Sequence, residues 1–124
     1  MGNSLITYVS GAGFRALDFS TEYDTIALAA PTDNARASLS GADLTGLAGT
    51  TVNALVLHNA DTTASTRNVT GTGAGQTLAV TSGTMLFTRE TAGAGAYGIN
   101  LGGFNSGITV GGTNEYVIFV VNPD

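Results

Sequence analysis

The segment Val52-Asn53-Ala54-Leu55-Val56-Leu57-His58-Asn59 decides the fold class. It is too short for a typical helix, is β-branched and apolar, and sets Val52, Ala54 and Val56 on one face against Leu55 and Leu57 on the other. A second stretch, Thr77 to Thr81, alternates cleanly, with Leu78 and Val80 on one side and Thr77, Ala79 and Thr81 on the other. That is the pattern of a strand with one wet face. A third, Tyr116 to Val121, is apolar at every position, so both of its faces require cover. A doubly apolar strand in so short a chain reads either as a central strand under a covering layer or as a strand at a subunit interface. The interface is the reading taken both for Tyr116 to Val121 and for Val52 to Asn59, which is apolar on both faces in the same way.

Working outward, β-prone segments recur at Leu5 to Val9, Thr25 to Ala30, Thr66 to Thr70, Thr84 to Arg89, Ala96 to Leu101, Ser106 to Val110 and Glu115 to Val121. Between them lie glycine-rich stretches at residues 71–75, 91–95, 102–107 and 111–114, which supply the positive φ that tight turns need. The expected architecture is therefore all-β, a jelly-roll-like antiparallel sandwich of eight or nine short strands whose second half runs as successive hairpins. Residues 10 to 50 are the least regular, with one short helical turn expected at Asp43 to Leu47. No fixed period marks a solenoid or propeller. The 124 residues make one domain, 1–124, in which residues 1–10 form either an N-terminal arm or a core strand.

Composition narrows function. Only 10% of the residues are charged against about 25% in ordinary soluble domains, while the apolar share is 43%. Thr, Ser, Asn, Gly and Ala fill the place of charge and lose little side-chain entropy when another protein covers them, which favours burial in an assembly. The net charge is −5, and the basic residues, Arg15, Arg36, Arg67 and Arg89, stand singly. Phosphate backbones are bound by clustered cations, so nucleic acid is excluded as a partner. No apolar run reaches the roughly 20 residues of a membrane span, and the start does not read as a secretory signal. Absence of cysteine removes disulfide, thiolate and zinc-thiolate chemistry.

Chemical motifs are few. Gly11-Ala12-Gly13-Phe14-Arg15-Ala16 fits a dinucleotide fingerprint, but the residues after it do not make the required crossover helix, so it reads as a glycine turn. His58 is the single histidine, and no nucleophile-elbow serine accompanies it. It reads as a strand-end or interface residue. Asp18, Glu22 and Asp24 fall within seven residues and could hold a cation in a loop, although they lack the glycine-punctuated order of a calcium loop. A solvated acidic loop is the simpler reading. Neither catalytic residues nor a cofactor or metal site are expected.

The order of features from Val52 onward carries a resemblance. The strand Ala54-Leu55-Val56-Leu57-His58-Asn59-Ala60-Asp61 leads to the threonine-rich Thr66-Arg67-Asn68-Val69-Thr70. Then come Leu78-Ala79-Val80-Thr81-Ser82-Gly83-Thr84, Met85-Leu86-Phe87-Thr88-Arg89 and the closing Tyr116-Val117-Ile118-Phe119-Val120-Val121. This series, with the opening Leu5-Ile6-Thr7-Tyr8-Val9, resembles the small head decoration, or cement, proteins of tailed bacteriophages. The resemblance implies a jelly-roll-like sandwich, a homotrimer seated on the outer capsid surface after synthesis in the host cytoplasm, and contact with the major capsid protein that clamps neighbouring capsomers. Leu5, Ile6, Tyr8, Tyr116, Ile118 and Val120 are the expected oligomer or capsid contacts. A receptor- or carbohydrate-binding module of a tail or fibre is the alternative, and a small hydrolase built around His58 the enzyme reading.

Overall fold

A computed structural model describes residues 4–73, 75–90, 97–110 and 117–121, with Val117, Phe119 and Val121 described by their backbone only. Among the described residues there are thirteen strands and no helix. An N-terminal hairpin joins β1 (Ile6–Val9) to β2 (Gly13–Ala16), and a two-residue β3 (Asp24–Thr25) follows. The chain then makes β4 (Asn34–Leu39), β5 (Leu44–Leu47) and β6 (Thr50–Val52), and next β7 (Ala54–Asn59), β8 (Thr66–Gly73) and β9 (Leu78–Val80). A further set comprises β10 (Thr84–Arg89), β11 (Gly98–Phe104) and β12 (Ile108–Val110), before β13 (Val117–Val121).

From β4 onward, strands three apart in this order lie side by side, and β3 adds to the edge of the first sheet beside β4. The sheets run β13-β10-β7-β4-β3, β11-β8-β5 and β12-β9-β6, and all eight pairings within them are parallel. Each circuit of the chain thus lays one strand on each of three faces, and the next circuit stacks on it. This is a parallel β-solenoid, whose circuits contact only their neighbours. All-β is what the sequence implied. The antiparallel jelly-roll arrangement and its successive hairpins are corrected: the sole antiparallel pair among the described strands is β1–β2.

The circuits differ in length, and this hid the repeat. Stacked positions Ala35, Leu55, Met85 and Ile118 are separated by 20, 30 and 33 residues, because corners of variable length intervene between strands of fixed register. A fixed-period search finds nothing in such a chain. The core is built of inward columns. Ala35 and Ala37 lie beneath Leu55 and Leu57, which lie beneath Met85 and Phe87, while Val69, Leu78, Val80, Val52 and Phe104 close the other two faces.

β7 is buried at all six positions. Its inward Leu55 and Leu57 belong to the core, and its flanks are covered by β4 and β10, so it is a central strand and not an interface strand. Parallel strands covered on both faces read as continuous apolar runs. Its outer face is part of a polar and apolar layer under the N-terminal segment, where Phe19 lies 4.0 Å from the Arg36 guanidinium. Asp43 to Leu47 is also corrected, from a helical turn to β5, its Leu44 paired with Val69. The irregular region further hides β4, whose small inward alanines carry no strong strand signature, and the expected strand Thr25 to Ala30 shortens to β3 before turn residues.

Corners are held by side chains. Buried Asn59 donates from its amide to the carbonyls of Ser65 (3.1 Å) and Gly98 (3.2 Å) and accepts from the Asp61 N–H (3.1 Å), joining two circuits. Asp61 accepts from Arg67 Nε (2.5 Å), from the Gly41 N–H (2.9 Å) and from the Ser65 hydroxyl. These donors, Arg67 foremost, hold its carboxyl far below the usual range. Between β8 and β11 the backbones approach so closely that a Cβ on Gly71 would stand 2.8 Å from the Gly103 carbonyl oxygen and from the Phe104 ring.

Candidate interaction surface

Gly11 and Gly13 take φ of 82° and 86°, and the turn they make reverses the chain between β1 and β2. The dinucleotide-like string is thus a hairpin turn. Reversal sets Tyr8 opposite Phe14 and Ile6 opposite Ala16. The two rings meet edge-on, 5.4 Å between centroids. Leu5, Thr7, Val9 and Leu17 are half-buried on the other face. Ile6, Tyr8 and Phe14 are 69%, 63% and 77% exposed, so the hairpin's outer face is an apolar patch open to solvent. Its polar flank is already neutralised: Arg15 grips Glu22 through two contacts of 2.6 and 2.7 Å, which lowers the Glu22 pKa to about 2.

Two more apolar exposures mark the ends of the solenoid. At β13, Ile118 and Val120 continue the inward columns above Met85 and Phe87, and both are exposed. Past β3, at the other edge of the same sheet, Leu28 is exposed as well. Four strand spacings of about 4.8 Å put the two sheet edges about 19 Å apart. Of the expected contact residues, Ile6, Tyr8, Ile118 and Val120 are exposed, Leu5 is half-buried, and Tyr116 lies outside the described residues. The structure brings Ile6 and Tyr8 together on the hairpin and sets Ile118 and Val120 on the last circuit. Phe14 and Leu28 were missed. Pairing Val9 with Gly13 across the glycine turn would have put Phe14 beside Tyr8; nothing in the sequence singles out Leu28.

His58 is 2% exposed on the outer face of β7. Its Nδ1 lies 2.7 Å from Thr88 Oγ1 and its Nε2 lies 3.0 Å from Glu90 Oε2. Since a carboxylate only accepts, a neutral ring protonated on Nε2 donates to Glu90 and accepts from the Thr88 hydroxyl. Burial pushes the imidazole pKa down, hydrogen bonding to Glu90 opposes this, and nearby Arg36 adds to the depression. The trio has the members of a hydroxyl–imidazole–carboxylate relay with exposures reversed: Thr88 is 5% exposed, while the Glu90 side chain is 56% exposed. A nucleophile must meet its substrate. A groove of about 210 Å³ that includes Thr88 is lined also by Asn59, Phe87, Tyr97 and Val120 but not by His58.

Asp18 accepts from the Ser20 N–H and hydroxyl, and Glu22 is held by Arg15 and the Asp18 N–H. Among the described residues no three His, Cys, Asp or Glu side chains gather as a metal site would require. No helix among them is long and apolar enough to cross a membrane. No protein-family description, curated protein or solved structure matches this chain.

Proposed function

We propose that this chain is a non-catalytic structural module of a virion, a decoration protein that sits on the outer surface of a phage head and bridges capsomers through contact with the major capsid protein. One observation carries the reading. Exposed apolar side chains fall in separate places, at the hairpin and at the two ends of the solenoid, on a chain with few charges. A bridging protein needs more than one adhesive face, and modest contacts made at once by several copies raise the effective affinity. The reading rests on surface chemistry and on the sequence resemblance. A sandwich architecture is not required for clamping.

The proposed assembly is a homotrimer. Cryo-electron microscopy of purified particles is expected to find the chain at symmetric positions on the outer surface; its absence from the particles overturns the proposal. Sedimentation is expected to give a species three times 12.4 kDa, undiminished by high salt because uncharged groups make the contacts. A receptor- or carbohydrate-binding role is the second reading, favoured by the exposed Tyr8–Phe14 pair. Glycan-array binding that is lost on Tyr8→Ala would replace the first reading with it.

A further inference from the structure

We infer that the outer face of the β1–β2 hairpin, Ile6, Tyr8 and Phe14, is the contact through which copies of this chain associate with one another. The inference deepens the structural-module reading and rests on it, by assigning one of the exposed faces to self-association and leaving the solenoid ends for other subunits.

The hairpin is a small unit bound mainly to itself. Its strongest packing is between its own two strands, and neither strand pairs with any strand of the solenoid. A two-stranded hairpin is at best marginally stable in water, and gains stability when an apolar face is covered. The half-buried Leu5, Thr7, Val9 and Leu17 supply cover on one side only. The exposed side presents one isoleucine and two aromatic rings.

Charge selects the partner. β1 carries no charged residue, and Arg15 on β2 is occupied by Glu22 in a two-pronged pair. An acidic or basic partner surface would find no counterpart and would lose hydration on contact. What fits is a neutral apolar face of similar size, and a second hairpin supplies one. Around a threefold axis three such faces can converge, so that each copy covers part of the apolar face of its neighbours. Aromatic rings at the centre of such a contact are the side chains that carry most binding energy.

Area sets the strength. With a full aromatic side chain burying about 150–250 Å², the three residues expose on the order of 400 Å². Any two faces together remove no more than roughly 800 Å², below the ~1,200 Å² at which specific complexes become stable. The hairpin contact by itself is therefore weak and reversible, and its occupancy rises with protein concentration. Salt does not dissolve it; each copy carries −5, so screening helps the copies approach.

Sedimentation velocity of the whole chain across the micromolar range is the test. The native chain is expected to shift to heavier species with concentration, Phe14→Asp to need at least tenfold more protein for the same shift, and Leu28→Asp to behave as native. A native chain that stays monomeric up to about a millimolar, or a Phe14→Asp variant that associates as native, overturns the inference. Should Phe14→Asp fail to fold, single thiols decide, because the chain has no cysteine of its own. Tyr8→Cys is expected to form disulfide-linked pairs faster than Leu28→Cys under the same oxidant, and equal rates count against the hairpin. Binding of Phe14→Asp to particles separates the two proposals. Association lost with particle binding retained supports both, whereas hairpin-dependent association by a chain that never binds particles removes the decoration role alone.

Discussion

The solenoid and the hairpin use the same alternation of apolar and polar residues and reach opposite outcomes. Along β9, Leu78 and Val80 point into a core that circuits before and after it close, and both are buried. Along β1, Ile6 and Tyr8 alternate with Thr7 and Val9 in the same manner, yet the apolar pair faces water. Alternation tells which residues share a face. It does not tell whether the partner for that face lies in the same chain. In the solenoid the inner strands β7, β8, β9 and β10 each pair with two strands distant in sequence, and in the hairpin each strand has one neighbour, a few residues away.

The sharpest test of this contrast is a carboxylate on either side of β9. Val80→Asp is expected to unfold the domain, since an unpaired buried charge costs about 3–5 kcal/mol, a large share of the stability of a small domain. Thr81→Asp, at an exposed position, is expected to cost under about 1 kcal/mol. Thermal melts followed by circular dichroism compare them. Equal melting of the two variants would mean that the inward face has been misassigned.

Next in size is the close approach between circuits. Gly71→Ala places a methyl group 2.8 Å from the Gly103 carbonyl oxygen, which the two backbones cannot relieve without separating. The expected loss is about 1–3 kcal/mol, the usual cost of overpacking. Gly75→Ala lies at a turn with positive φ but meets no neighbour within 4 Å, so its cost is backbone strain of about 1–2 kcal/mol. Urea melts that rank Gly75→Ala as the more damaging would weaken the stacked-circuit description.

A smaller effect is expected from His58. Its folded-state pKa lies below the ordinary 6.5, so the unfolded chain binds the proton first. Stability from this group is full above pH 6.5, falls as pH drops through that value, and levels off once the folded form also titrates. His58→Gln should flatten the dependence between pH 7 and 5. The Asp61 carboxyl acts in the other window, its contribution disappearing only below the ordinary carboxylate value of 3.8. Urea melts at pH 7.5, 6 and 5 check the slope; an unchanged slope in His58→Gln would assign it elsewhere.

The smallest effect belongs to the hairpin. Tyr8→Ser is expected to change the melting of dilute protein by no more than about 0.5 kcal/mol, because the ring makes its main ring contact with Phe14 and stays largely exposed. The same variant should weaken association at high concentration. A large loss of stability in dilute solution would make the hairpin part of the folding core, and the contrast between the two regions would fail.

Sequence by itself determined that the chain is all-β, that Leu78 and Val80 share a buried face, that Gly11 and Gly13 make a turn, and that Ile6 and Tyr8 belong together. These are local matters: period-two alternation and glycine at positive φ are written within a few residues. The doubly apolar run Ala54 to Leu57 also held a signal for parallel pairing, but so short a run is compatible with several kinds of buried strand. Only the tertiary structure decided that strands 20 to 33 residues apart stack in parallel, that β4 exists where alanines alternate, and that His58 lies between Thr88 and Glu90. Which strand pairs with which depends on how corners of unequal length bring distant segments into register, and that sum over the whole path is not carried by any one stretch of residues.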